Sequence, residues 1–158
     1  MNTRSLGVAS MTGMASASTR GDAKTQIKVR VSYGSAVVLG LVRGRVGVPP
    51  TALYILLQGE GCRGRCMFCP QSAGDSAHVS RVEWLEFPIE EVVARAKSMM
   101  DRRAVGRGFE RVCVQCTDEP AVREALPVFV AGLRCLGLPV SVSTPPLTRE
   151  GLLALKGA

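Results

Sequence analysis

The sequence predicts an α/β fold, a partial (βα) barrel of about three units that is truncated before closure, and three observations predict it. Segments of strand length recur at 51–57, a continuous apolar run, and at 111–117 and 139–144. Stretches of helical periodicity at 88–101, 120–133 and 148–155 alternate with them, the order expected of βα units on a parallel sheet. The polar and thiol-bearing residues at 62–69, 117–119 and 144 gather past the carboxyl ends of the strands, where barrels carry their chemistry.

Each element has its own warrant. Residues 1–23 are rich in Ser, Thr, Ala, Gly and Met, with no acidic residue before Asp22, and predict a disordered tail. Met11 and Met14 make a later start codon an alternative reading of that tail. Residues 24–50 read as an N-terminal arm: Ile27-Lys28-Val29-Arg30-Val31 alternates like a short strand, 35–42 suits a turn or two of helix, and 46–50 is a Gly/Pro connector. The unbroken run Thr51-Ala52-Leu53-Tyr54-Ile55-Leu56-Leu57 reads as a strand buried on both faces. In the first helix Ile89, Val92, Val93, Ala96 and Met99 share a face, and Glu90 and Glu91 suit its amino end. Val122, Leu126, Phe129, Val130 and Leu133 mark the second helix, which Pro127 is expected to kink or interrupt. Gly137 and Pro139 close that unit before the third strand, and the last helix begins at Thr148. Three units cannot close a barrel, so the sequence reads as a fragment: a truncated gene, a frameshift or half of a split protein.

Composition narrows the function classes. With 46% hydrophobic but only 4% aromatic residues, the core must be aliphatic. No apolar run approaches the ~20 residues of a membrane span. The net charge of +7 is scattered along the chain with no aromatic residues interleaved, which argues against a nucleic-acid partner. Six cysteines without a secretory leader imply reduced thiols and a cytoplasmic location.

Three of those cysteines lie in Cys62-Arg63-Gly64-Arg65-Cys66-Met67-Phe68-Cys69. The spacing C-x3-C-x2-C offers three thiolates from one loop, one fewer than a closed tetrahedral site needs, so a metal or cluster held there keeps an open position. A structural zinc site would need a fourth ligand, and His78, the single histidine, lies nine residues past Cys69, outside the usual finger spacings. A disulfide framework and a C-x2-C redox pair fit the surrounding sequence less well.

With Phe68 before the third cysteine, this loop resembles that of the radical S-adenosylmethionine (SAM) enzymes, written C-x3-C-x-aromatic-C. Residues 51–158 resemble the N-terminal half of a radical SAM barrel. Phe68-Cys69-Pro70-Gln71-Ser72, Val112-Cys113 and the stretch 140–155 resemble biotin synthase, and archaeal biotin synthase-related proteins, two-component lipoyl synthases among them, are similar in the same regions. The resemblance implies that Cys62, Cys66 and Cys69 hold three irons of a [4Fe–4S] cluster whose fourth iron binds SAM. It implies Phe68 near the adenine, and Thr117, Asp118 and Glu119 at the SAM ammonium. The implied activity is reductive cleavage of SAM to a 5′-deoxyadenosyl radical, used for sulfur insertion at an aliphatic C–H. A small-molecule or carrier-protein-bound acyl substrate and an electron donor such as ferredoxin or flavodoxin would be its partners.

Two positions depart from that pattern. The Thr117-Asp118-Glu119-Pro120 turn lacks the family's glycines, and its acidic residues also suit a helix N-cap. An auxiliary iron–sulfur cluster would use Cys113, but Ser141 stands where the third strand would offer another cysteine. Cys116 lies on the opposite face of a regular strand from Cys113, and packing is the expected role of Cys116 and Cys135. The competing functions are a non-catalytic iron–sulfur or zinc-binding protein, and an inactive fragment.

Overall fold

The computed structural model describes residues 28–67, 69, 78–79, 82–101 and 108–158. The expected tail at 1–23, Phe68, and the polar stretch at 70–77 lie outside these, and at 78 and 79 the backbone alone is described. The elements follow in the order β1 (Lys28–Ser32), α1 (Tyr33–Val38), β2 (Ala52–Gln58), β3 (His78–Val79), β4 (Val82–Glu86), α2 (Ile89–Asp101), β5 (Arg111–Cys116), α3 (Pro120–Leu133), β6 (Val140–Ser143) and α4 (Arg149–Gly157). A 3-10 turn, Arg134–Leu136, ends α3, and Gly137 closes it in the left-handed conformation at φ 63°.

The fold is α/β, and its sheet is mixed, with strand order β3-β4-β1-β2-β5-β6. β2, β5 and β6 run parallel, as the alternation of strand and helix predicts. The wholly parallel expectation needs correcting at β1, which lies antiparallel between β2 and β4. Its connection to β2 carries a six-residue helix and a Gly/Pro stretch, which reverse the chain instead of carrying it over the sheet. Ser32 caps α1 by accepting from the Ser35 N–H at 3.3 Å, and the Ser35 hydroxyl accepts from the Tyr54 N–H at 3.1 Å. The supposed arm is thereby fixed to the start of β2.

One face of the sheet carries the core. Val31, Leu53, Ile55, Leu57, Val112 and Val114 are essentially fully buried and share that face through the register Val31↔Ile55↔Val114 and Leu53↔Val112. Against them pack Ala36 of α1, Val92 and Ala96 of α2, and Val122 and Leu126 of α3. Burying each of the larger side chains stabilises the fold by about 1.5–3 kcal/mol. On the opposite face Glu86, Arg30, Gln115 and Ser143 stand in register on either side of the buried Leu56.

α3 is not interrupted at Pro127. The proline removes one amide donor, and the carbonyl it abandons, on Arg123, belongs to an exposed residue that water reaches. Pro120 opens the helix at a position that needs no donor.

Candidate functional site: a thiol loop at the carboxyl end of the parallel strands

β2 ends at Gln58 and leads straight into the cysteine loop, so the loop starts from the most buried strand of the sheet. β5 ends beside it, and the turn at 117–119 leads into α3. Main-chain hydrogen bonds join the two strand ends. The Thr117 N–H donates to the Leu57 carbonyl at 3.1 Å, and the Arg63 N–H donates to the Asp118 carbonyl at 3.1 Å. The Asp118 N–H in turn donates to the Cys62 sulfur at 3.4 Å. The 62–69 loop and the 117–119 turn, singled out separately in the sequence, therefore form one site.

Cys62 and Cys66 are exposed free thiols, and Cys69 is half-buried. Gly64 sits between the first two. A Cβ at that position would stand 3.3 Å from the Cys62 sulfur and 4.0 Å from the Cys66 sulfur, so both thiols border the space its missing side chain leaves. The Cys69 N–H donates to the Cys66 carbonyl at 3.0 Å, closing the second half of the loop as a tight turn. Among the described residues, no three His, Cys, Asp or Glu side chains stand close enough together to hold a metal ion. The donor types are nonetheless those a cluster with three protein ligands takes: soft thiols from one loop, with an amide aimed at one sulfur.

Thr117 and Glu119 are buried, and Asp118 is partly exposed and ion-paired with Arg123. The expected N-cap role of Glu119 is half met. The residue occupies the N-cap position of α3 and its carbonyl accepts from the Arg123 N–H, but its side chain makes no cap hydrogen bond. The carboxylate turns towards the end of β2 instead.

An open cavity of about 500 Å³ adjoins Cys62, lined by Gly61, Cys62, Arg63, Glu119, Pro120, Ala121 and Glu124. Arg63 and Glu124 are additions to the sequence reading. Glu124 lies four residues after Pro120, one helical turn further along the same face, a spacing that would have found it. Thr144, at the end of β6, has a buried hydroxyl with no hydrogen-bond partner among the described residues.

The remaining cysteines separate. Cys116 packs on the core face of β5, and burial pushes its thiol up to about 12, as expected of a packing residue. Cys113 is half-buried, in register with Tyr54 and Ser141, and an odd number of residues from Cys116, so the two project from opposite faces. The Ser141 hydroxyl donates to the Val112 carbonyl at 3.3 Å. Cys135 contradicts its expected packing role: it is exposed, because the 3-10 turn that holds it buries Leu136 and turns Cys135 outward.

Among known proteins, the chain is 30% identical over 103 residues to a biotin synthase of Prochlorococcus marinus (strain MIT 9303). The aligned stretch is 63% of this chain and 29% of that protein, so the chain spans less than a third of the relative it matches. No protein-family model and no solved structure matches the chain. No helix among the described residues is long and apolar enough to cross a membrane.

Proposed function

We propose that this chain is a radical SAM-type protein of the biotin synthase- and lipoyl synthase-like group, with Cys62, Cys66 and Cys69 as ligands to a [4Fe–4S] cluster and S-adenosylmethionine at its open iron. When bound, these groups supply the one-electron chemistry that activates an aliphatic C–H bond, here for sulfur insertion. The observation that carries the reading is three cysteines on one loop at the carboxyl end of β2, with the Cys62 and Cys66 sulfurs bordering the space beside Gly64. The partial identity with a biotin synthase supports it independently. In this reading β2, β5 and β6 with their helices are the opening units of a (βα) barrel.

The chain's own residues bind, orient and exclude water. The Asp118 amide stabilises negative charge on the Cys62 sulfur. Arg63 and Glu124 bring a cation and a carboxylate to the cavity beside Cys62, a pairing that suits the zwitterionic amino-acid end of SAM. Asp118, the partly exposed acid of the turn, adds a second carboxylate, while Thr117 and Glu119 are engaged with each other at 2.8 Å. Phe68 would stack near the adenine. Cys113 is the one strand thiol placed for an auxiliary cluster, on the face away from the helices. The substrate would be a small molecule or a carrier-protein-bound acyl chain, and a ferredoxin or flavodoxin would deliver the electron.

Electron paramagnetic resonance of the anaerobically reconstituted, dithionite-reduced chain tests the proposal. The expected result is a [4Fe–4S]⁺ signal that shifts on adding SAM and is lost when all three loop cysteines are changed to alanine. A cluster indifferent to SAM would give the chain to electron transfer, and zinc without iron would make the loop a structural site.

A further inference from the structure

Glu119 is the one buried carboxylate among the described residues, only 8% exposed. Burying such a group is costly unless its oxygens are taken up by donors. Here they are. Oε1 accepts from the Gly59 N–H at 3.0 Å and from the Thr117 hydroxyl at 2.8 Å, and Oε2 accepts from the Gly61 N–H at 3.3 Å. The two glycines lie 60 and 58 residues earlier in the chain and flank Glu60, immediately ahead of Cys62. At Gly59 the approach is so close that any Cβ would overlap the carboxylate.

We infer that Glu119 is a positioning residue: its carboxylate grips the main chain at Gly59 and Gly61, and so sets where the thiol loop leaves β2 and where Cys62 stands. Its value to a metal site rests on the proposal that the loop cysteines are ligands, but the grip itself does not. Every partner acts as a donor, so the group must be an acceptor at both oxygens. Glutamine has the same shape but would turn an NH2 towards one of the two glycine amides, donor against donor. The next contacts of the loop, Arg63 N–H to the Asp118 carbonyl and Asp118 N–H to the Cys62 sulfur, follow directly from this placement.

The test has two arms, both on the full chain kept reduced. In the first, hydrogen exchange is followed by NMR on the wild-type, metal-free protein. Gly61 is solvent-exposed, so its amide would exchange freely were it not gripped; the expectation is protection of Gly59 and Gly61 by about a hundredfold or more. Free exchange at both overturns the inference whatever any variant does. In the second arm Cd²⁺ is titrated, read by its thiolate charge-transfer absorbance, into wild type, Glu119→Gln, Gly59→Ala, the double variant and the exposed control Glu90→Gln, well below their melting temperatures. Glu119→Gln and Gly59→Ala should each weaken Cd²⁺ binding by about tenfold, the scale of one buried charge-assisted hydrogen bond. Because both break the same grip, the double variant should be little weaker than either single one. Single variants that bind Cd²⁺ within about twofold of wild type, and merely melt lower, would show a structural role only and overturn the inference. A variant that fails to fold is decided by the other variant and by the exchange arm. Wild type that binds no Cd²⁺ while Gly59 and Gly61 stay protected would sink the ligand reading and leave the grip standing.

Discussion

The thiols of the 62–69 loop and those of β5 lie at one end of the same sheet and could hardly be held more differently. The loop follows no regular period, so Cys62 and Cys66 bring their sulfurs to either side of Gly64, in reach of solvent, with the Asp118 amide on Cys62. β5 has the period of a strand, which sends Cys113 to one face and Cys116 to the other, where Cys116 packs against the core. Thiol count is therefore a poor guide to thiol chemistry. The backbone beneath each cysteine decides whether sulfurs can converge, and whether they can lose a proton.

Breaking the contrast outright should give the largest effect. Changing Cys62, Cys66 and Cys69 together to alanine should abolish iron uptake on anaerobic reconstitution, while Cys116→Ala should leave it intact; iron analysis after desalting decides. Equal loss in the two variants would erase the distinction. Next comes alkylation. At pH 8 Cys116 should react with iodoacetamide about a thousandfold more slowly than an exposed thiol of the ordinary pKa 9.0, the ratio of their thiolate fractions for a thiol near 12. The same shift carries a sign for stability. The folded state holds the Cys116 proton more tightly than the unfolded chain, so this contribution is intact below pH 9 and is lost as pH rises towards 12. Cys116→Val should flatten that alkaline fall in urea unfolding, and an unchanged slope between the two would contradict the burial argument.

A subtler probe is Gly64→Ala. The new methyl would enter the gap between the Cys62 and Cys66 sulfurs and should weaken Cd²⁺ or iron binding by about tenfold, as disturbance just outside a metal's ligands commonly does. No change in affinity would mean that the gap is not where the metal sits. The smallest effect belongs to Arg123→Ala. Its pair with Asp118 is substantially solvent-exposed, so the loss should stay below about 1 kcal/mol in denaturant unfolding. A larger loss would make the pair a true brace of the turn.

What the sequence made legible follows from where its signals are local. The run at 51–57 announced β2 because a strand buried on both faces has no polar residues to obscure it, while 111–117 and 139–144 announced β5 and β6 by alternating apolar with polar or exposed residues. β4 left no such trace: in Val82-Glu83-Trp84-Leu85-Glu86 only Trp84 is buried, and Val82 is exposed. The place of β1 could not be read because a strand's pattern gives its faces and not its neighbours. The cysteine spacing singled out the 62–69 loop, which the structure joins to the 117–119 turn. The grip of Glu119 was not legible, since its loop partners are backbone amides 58 and 60 residues away, which leave no mark beyond two glycines.

The dock between the two strand ends carries one more consequence. Beside the Glu119 carboxylate's grip on Gly59 and Gly61, it is made by main-chain groups at Arg63, Asp118, Thr117 and Leu57 and by the Cys62 sulfur. Drift at Arg63 or Asp118 can therefore pass through most of the amino-acid alphabet and leave the dock standing. Proline is the exception, because at 63 or 118 it would delete the donating amide. Distant kin of this chain are better sought by what these two positions forbid than by the residues they happen to hold.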